Sequence, residues 1–317
     1  MFGLFDIAYR GFAIWAAGIV LVLGSFLIFV AAGWPGSVNS CVWGTDTPPP
    51  QVPPAPHASL QVQRAYQLAL KKVPADNSCY CEAFSVTDAI AGKPGVRQKV
   101  NTWFNLYAIL TSLVVAIGVY VARSNGASNL IGSRTWVPDA YIFAVLFLGL
   151  GSMWFHGAIK EWAGLTDTAS MYTFTGFLIF YTLRRLWDVP ALFWIGYPLN
   201  ILLFVILGEV FSKAFPGAQI SLILILIQVA AYMTFQIWLW VANQQAPTWR
   251  WYCGVGCILA ATFFWSFSQK PGQFLCTPTS SFQPHGLLWH PLAGGMAVFL
   301  YFYWRFDTDD SSTVDLG

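Results

Sequence analysis

Charge is what this chain has least of. Asp, Glu, Lys and Arg make up 9% of its 317 residues, against roughly 25% in soluble domains. That is too little to coat a water-soluble globule of this length. The formal net charge is only +2 and no basic run interleaved with aromatics occurs, which excludes a nucleic-acid partner. Internal repeats and heptads are absent, and the scattered glycines, Gly92 and Gly95 among them, make no phosphate loop. Histidine is scarce too: there are 4 in the chain.

What remains is apolar. Residues of the AVILMFWYC set reach 56%, and 16 Trp and 26 Phe help bring the aromatic share to 17%, a level suited to a lipid-facing surface with interfacial belts. A bilayer span takes about 20 apolar residues. Eight runs qualify as candidates, at residues 11–32, 103–121, 140–157, 170–183, 191–211, 220–241, 251–268 and 287–304. The fourth is the shortest and can extend back through Asp167. The expected class is therefore all-α: a polytopic membrane protein with a seven-helix bundle and one extra N-terminal transmembrane helix.

Residues 1–34 read as that anchor, because their apolar run exceeds the roughly 7–15 residues of a cleaved signal. Residues 35–100 form an insert holding Thr47-Pro48-Pro49-Pro50 and Pro53-Pro54-Ala55-Pro56, a composition that favours an extended linker. Within it, residues 60–72 could form a short surface helix, and His57 is expected to be solvated. Residues 101–305 are the bundle and 306–317 a polar tail.

Lys and Arg in the short connections set the orientation. With eight spans both termini share a side, and that side collects Arg10, Arg123, Arg134, Arg184, Arg185, Arg250 and Arg305, whereas the opposite short loops carry Lys160, Lys213 and Lys270. Both termini are expected in the cytosol and the insert outside it. Cys41, Cys79, Cys81 and Cys276 then fall on the non-cytosolic side, where disulfides persist, while Cys253 and Cys257 lie within a span as packing residues. Glu209 and Lys213 read as an i,i+4 pair at a membrane boundary, Lys160 and Glu161 as an interfacial loop. Trp136, Trp162, Trp187, Trp249, Trp251 and Trp304 read as interfacial anchors.

Ionisable groups inside spans mark function by default. His156 ends the third span and His285 and His290 begin the last, so all three occupy the same half of the bilayer. Three imidazoles at one depth suit zinc with an open fourth position. Asp167 begins the next span on that side, and Ser152 lies four residues before His156, on the same helical face.

Ser152-Met-Trp-Phe-His156, Asp167 within the DTASMY run, and His285-Gly-Leu-Leu-Trp-His290 together resemble the signature of the alkaline ceramidases, seven-helix membrane amidases related in architecture to the adiponectin receptors. Cys81-Glu82 followed by Asn101-Thr-Trp-Phe-Asn105-Leu, and Leu275-Cys276 before the last helix, match in order. The resemblance spans about residues 79–305. It implies that His156, His285 and His290 bind Zn²⁺, that Asp167 moves protons at the metal-bound water, and that Ser152 stabilises the oxyanion. The implied substrate is ceramide or a related N-acyl lipid in the membrane, and the implied disulfide is Cys81–Cys276. Cys41 and Cys79 would then pair across the insert; the swapped pairing, Cys79–Cys276 with Cys41–Cys81, is the alternative.

Two departures stand out. The family's last ligand pair is usually His-x-x-x-His, whereas the five-residue spacing here puts the two rings about 140° apart on a regular α-helix. Either a π-bulge or a His285 placed before the helix begins, after Pro284, would accommodate it. Acidic residues that the family places near the Cys-Glu and Asn-Thr segments are here Cys79 and Gln98, so no calcium site is expected. Two other roles are compatible with the sequence: a subunit of a larger membrane assembly docked through the first helix and insert, and a non-catalytic seven-helix receptor or scaffold that keeps the metal site.

Overall fold

A computed structural model describes residues 2–39, 81–215, 219–269 and 273–306. Cys41, Cys79, His57, the Pro-rich stretch, residues 60–72 and the 307–317 tail lie outside these, so the expected Cys41–Cys79 bond and surface helix do too. The described chain is helical throughout, with no strand and a single antiparallel bridge, Val38 to Lys160. In order, the helices are α1 (Phe2–Ala32), the short α2 (Val86–Ile90) and α3 (Lys99–Phe104), then α4 (Tyr107–Ser124), α5 (Val137–Ala158), α6 (Glu161–Trp187), α7 (Tyr197–Ala214), α8 (Ile220–Ala242), α9 (Trp249–Ser268) and α10 (His290–Phe306).

Among the described residues, six helical segments are long and apolar enough to cross a membrane: Ile7–Ala32, Lys99–Ser124, Val137–Ala158, Leu192–Ala214, Ile220–Ala242 and Trp249–Ser268. The other two expected spans are present as helices. α6 carries Glu161, Asp167, Arg184 and Arg185 along its 27 residues, and α10 has 17 residues.

Contacts fix the ends of the bundle relative to one another. At one end Arg123 of α4 grips Asp139 of α5 through both carboxylate oxygens, at 2.9 and 2.7 Å, and Arg10 of α1 joins from the other side at 2.6 Å. Asn129, beside them, donates to the carbonyls of Trp304 and Arg305. The start of α1 and the end of α10 therefore share this end, and the start of α4, the end of α5 and the starts of α6 and α10 share the opposite one. Both Arg123 and Asp139 are buried, so a charge that reads in the sequence as a loop arginine is part of the core. Removing one partner of a buried pair strands the other charge, which costs about 3–5 kcal/mol. Asp139→Asn is expected to lower the thermal midpoint in detergent accordingly, and an unchanged midpoint would show that the ion cluster is dispensable.

The core is aromatic. Tyr141, Phe177, Tyr181 and Trp304 stack between α5, α6 and α10, the Tyr181 and Trp304 rings only 4.5 Å apart. Trp304 is fully buried and Trp251 nearly so; these two fill the core and are not interfacial anchors. Trp136, Trp187 and Trp249 are exposed at helix ends.

The first helix is tied into this bundle. Phe26 of α1 is fully buried against Trp34 and Trp154, and Trp34 donates from its indole to the Gly95 carbonyl at 2.7 Å. Lys160 holds the same end together. Its ammonium donates to the carbonyls of Gly36 and Ala89 at 2.8 and 2.7 Å, so it is buried beneath the loop and not at an interface. That burial lowers its pKa, with Arg97 adding repulsion. Glu209 and Lys213 do form the surface i,i+4 pair, at 3.5 Å.

The remaining helices pack unevenly. α8 lies against α6 and α9 against α10, while α8 and α9, joined by residues 243–248, meet through Trp240 and Trp251, whose ring centroids are 4.9 Å apart.

Candidate metal centre

His156 is brought in by the last turn of α5, which ends where Ile159 adopts a left-handed conformation (φ 50°). His285 and His290 bracket a π turn over His285–Trp289 that leads directly into α10. Hydrogen bonding from i to i+5 widens the turn, so residues five apart fall on nearly one face. The cause is legible in the local chemistry. Pro291 lacks an N–H and its ring would clash with the Leu287 carbonyl in a closed α turn; widening the turn removes the clash. The second π turn, Leu192–Gly196, also stands just before a proline, Pro198. Pro284 is already helical, so the π turn is the accommodation that holds, and His285 does not precede the helix.

The result is a cluster. All three imidazoles are buried, with ring centroids 5.2 Å (His156–His285), 5.6 Å (His156–His290) and 4.7 Å (His285–His290) apart. One nitrogen from each lies within 4.8 Å of the others. Tetrahedral bonds of about 2.0–2.1 Å would separate such nitrogens by roughly 3.4 Å, so small ring rotations suffice to enclose an ion. The donor set and its closeness fit a metal.

Ser152, one turn below His156, and the Asp167 carboxyl are both buried and near enough to interact across the α5–α6 interface. Close helix approach makes this possible. A side chain at Gly151 would strike Ser170 Cβ at 2.6 Å, and one at Gly149 would strike Ala108 Cβ at 2.3 Å. Tyr107 stacks on His290 with centroids 6.1 Å apart and is near enough to Asp167 to interact with its charge. All five residues singled out in the sequence thus sit at one end of the bundle.

Further residues surround the cluster that the sequence reading left without a role. Gln98, which precedes α3, places its Oε1 2.6 Å from His156 Nδ1. Its Nε2 donates to the Glu82 carbonyl at 2.9 Å, and its own N–H to the His156 carbonyl at 3.0 Å. Asn105 Nδ2 donates to the Asn101 carbonyl at 2.8 Å and lies 3.4 Å from His290 Nε2. The Glu82 carboxylate caps α3, accepting from the N–H groups of Val100 and Asn101 at 2.8 Å each. Burial raises its pKa, and those donors pull it back. Both oxygens of the one acidic group near this segment are thereby engaged. The clue available in the sequence was the spacing of Gln98, Asn101 and Asn105, three and then four residues apart at the head of an apolar run.

Cys81 and Cys276 form a disulfide, and Ala83 donates to the Pro278 carbonyl at 3.1 Å. The loop leading to His285 is thus fastened to the segment leading to Gln98. Gly286 closes the same contact: a Cβ there would lie 2.8 Å from Asn101 Oδ1 and 3.0 Å from its Cα. Because one of those neighbours is backbone, Gly286→Ala must push α3 and the π turn apart. Overpacking of this kind costs about 1–3 kcal/mol. Metal affinity is expected to fall with stability, as read by chelator competition; unchanged affinity would mean that the contact does not position His285.

No protein-family model matches the chain, and no curated protein matches it in sequence.

Proposed function

We propose that this chain is a zinc-dependent hydrolase of lipid amides, acting on ceramide or a related N-acyl lipid within the membrane. The observation that carries the reading is the Ser152–Asp167 pair beside three clustered imidazoles. A metal held for structure alone needs neither a carboxylate base nor a hydroxyl next to it.

His156, His285 and His290 would hold the ion. Bound there, zinc would supply Lewis acidity toward the amide carbonyl and a water with a pKa near 7. Asp167 would accept a proton from the attacking water on one carboxylate oxygen and return it to the amine nitrogen as that leaves. Ser152 Oγ would donate a hydrogen bond to the carbonyl oxygen as negative charge develops on it. Burial of the site keeps bulk water from weakening these interactions.

In this reading α6 and α10 join the six long apolar helices to give eight spans. The arginine-bearing end with both termini faces the cytosol, and the histidine end and insert face away from it.

The test is release of fatty acid from a panel of labelled N-acyl lipids by the purified protein in detergent or nanodiscs, alongside metal analysis. Chelator-sensitive release by protein with about one zinc per chain is expected. Fully zinc-loaded protein that cleaves no member of the panel would sink the hydrolase reading.

A further inference from the structure

The histidines do not stand alone; a row of carboxamides lies against them. Gln98, Asn101 and Asn105 are each fully buried, and their spacing of three and four residues puts them on one face at the head of α3 and α4. Gln98 bonds to His156. Asn105 stands beside His290, and Asn101 beside Gly286, the neighbour of His285. Two of the three imidazoles thus have a carboxamide against them, and the third carboxamide packs against the residue that follows His285.

We propose that this row is the outer shell of the metal centre, and that Gln98 is the positioning residue that fixes which nitrogen of His156 faces the metal. The inference rests on the metal-site reading above. Its logic is one of donors and acceptors. The Glu82 carbonyl can only accept, so the Gln98 atom that meets it at 2.9 Å is the NH₂ group. The atom that meets His156 Nδ1 at 2.6 Å is therefore the carboxamide oxygen, which also only accepts. Nδ1 must then carry the proton, and a neutral ring keeps its lone pair on Nε2. Metal-binding histidines are commonly held this way, with the far N–H given to an oxygen acceptor that sets ring orientation and tautomer.

Gln98 cannot turn over without losing both bonds at once. Its orientation is set from outside by Glu82, whose carboxylate is itself fastened to the start of α3. The order of dependence runs from Glu82 to Gln98 to His156. It is a neutral device: a carboxamide orients the ring without placing a negative charge behind the ligand.

The experiment compares Gln98→Leu with Gln98→Glu in the full-length protein. Both variants lose the NH₂ bond to the Glu82 carbonyl, so a purely structural anchor fails equally in both. Only Gln98→Glu keeps an oxygen acceptor for Nδ1–H. Zinc affinity by chelator competition is expected to fall about 10–100-fold in Gln98→Leu and to stay close to wild type in Gln98→Glu. The visible ligand-field bands of the cobalt-substituted protein are expected to change in Gln98→Leu alone. Should the leucine variant not fold, Gln98→Asn withdraws the amide by one methylene and is expected to show the same loss. Equal losses in Gln98→Leu and Gln98→Glu, or none in Gln98→Leu, overturn the positioning role while leaving the metal site in place. Wild-type protein that binds neither zinc nor cobalt overturns the underlying reading and this inference with it.

Discussion

Replacing His290 by alanine is expected to strip the protein of its metal and abolish all hydrolysis. Three imidazoles are the smallest set that holds zinc while leaving a position open for chemistry. Apparent binding free energies of about 10–16 kcal/mol for structural zinc sites near neutral pH, shared among four ligands, amount to roughly 2.5–4 kcal/mol each. Losing one ligand then weakens binding by about 10²–10³-fold. Apart from the other two imidazoles, the described groups against His290 include the Tyr107 ring and the Asn105 NH₂ group, neither of which replaces an imidazole ligand. Elemental analysis of protein purified without added metal checks this, with His57→Ala as the control that should keep full occupancy. Full occupancy in the His290→Ala protein would end the three-histidine assignment.

Asp167→Asn is expected to separate binding from catalysis. The substitution keeps the size of the side chain and its capacity to hydrogen-bond, and it leaves the three imidazoles untouched, so zinc content should match wild type. What disappears is the proton acceptor. General acid–base groups contribute typically about 10²–10⁴-fold, and the turnover number should fall on that scale while substrate affinity changes little. Single-turnover fatty-acid release by zinc-loaded protein measures it. A variant working near the wild-type rate would place the base elsewhere. Loss of zinc in that variant would instead make the carboxylate part of the ligand arrangement.

Much of the helical plan was legible because long apolar runs have few alternative explanations in a chain so poor in charge. α6 has the run that looked shortest, and α10, with 17 residues, is the shortest of the long helices. Their polar residues face inward, so hydropathy understates them. The site was legible for the same reason: Ser152, His156, Asp167, His285 and His290 are polar residues at one depth in an apolar setting. Partnership was not legible. Nothing in the sequence distinguishes Arg123, buried against Asp139, from Arg250 as a loop charge, or Trp304 in the core from Trp249 at the surface. Lys160 looked interfacial because its two carbonyl partners lie 124 and 71 residues away in the chain. Gln98 was noticed only for the charge it lacks; its bond to His156 depends on a fold that joins the segment before α3 to the end of α5. The Cys81–Cys276 bond was expected by resemblance alone and is present.

The π turn has a consequence for how this stretch of chain could change over time. One residue inserted into an α-helix rotates everything on one side of it by about 100° relative to the other. Here the rotation is absorbed between His285 and Trp289, so Ala293, Ala297, Leu300 and Trp304 still face the core while His285 still faces the site. Deleting one residue from the turn would restore ordinary four-residue spacing, but Pro291 would then meet a closed α turn and clash with the carbonyl four residues before it. Replacing Pro291 while keeping the insertion is sterically harmless, so the path backwards has to go through the proline first. The extra residue and the proline after it are therefore locked together by local sterics: with both present, shortening the turn by one residue closes an α turn onto the proline ring.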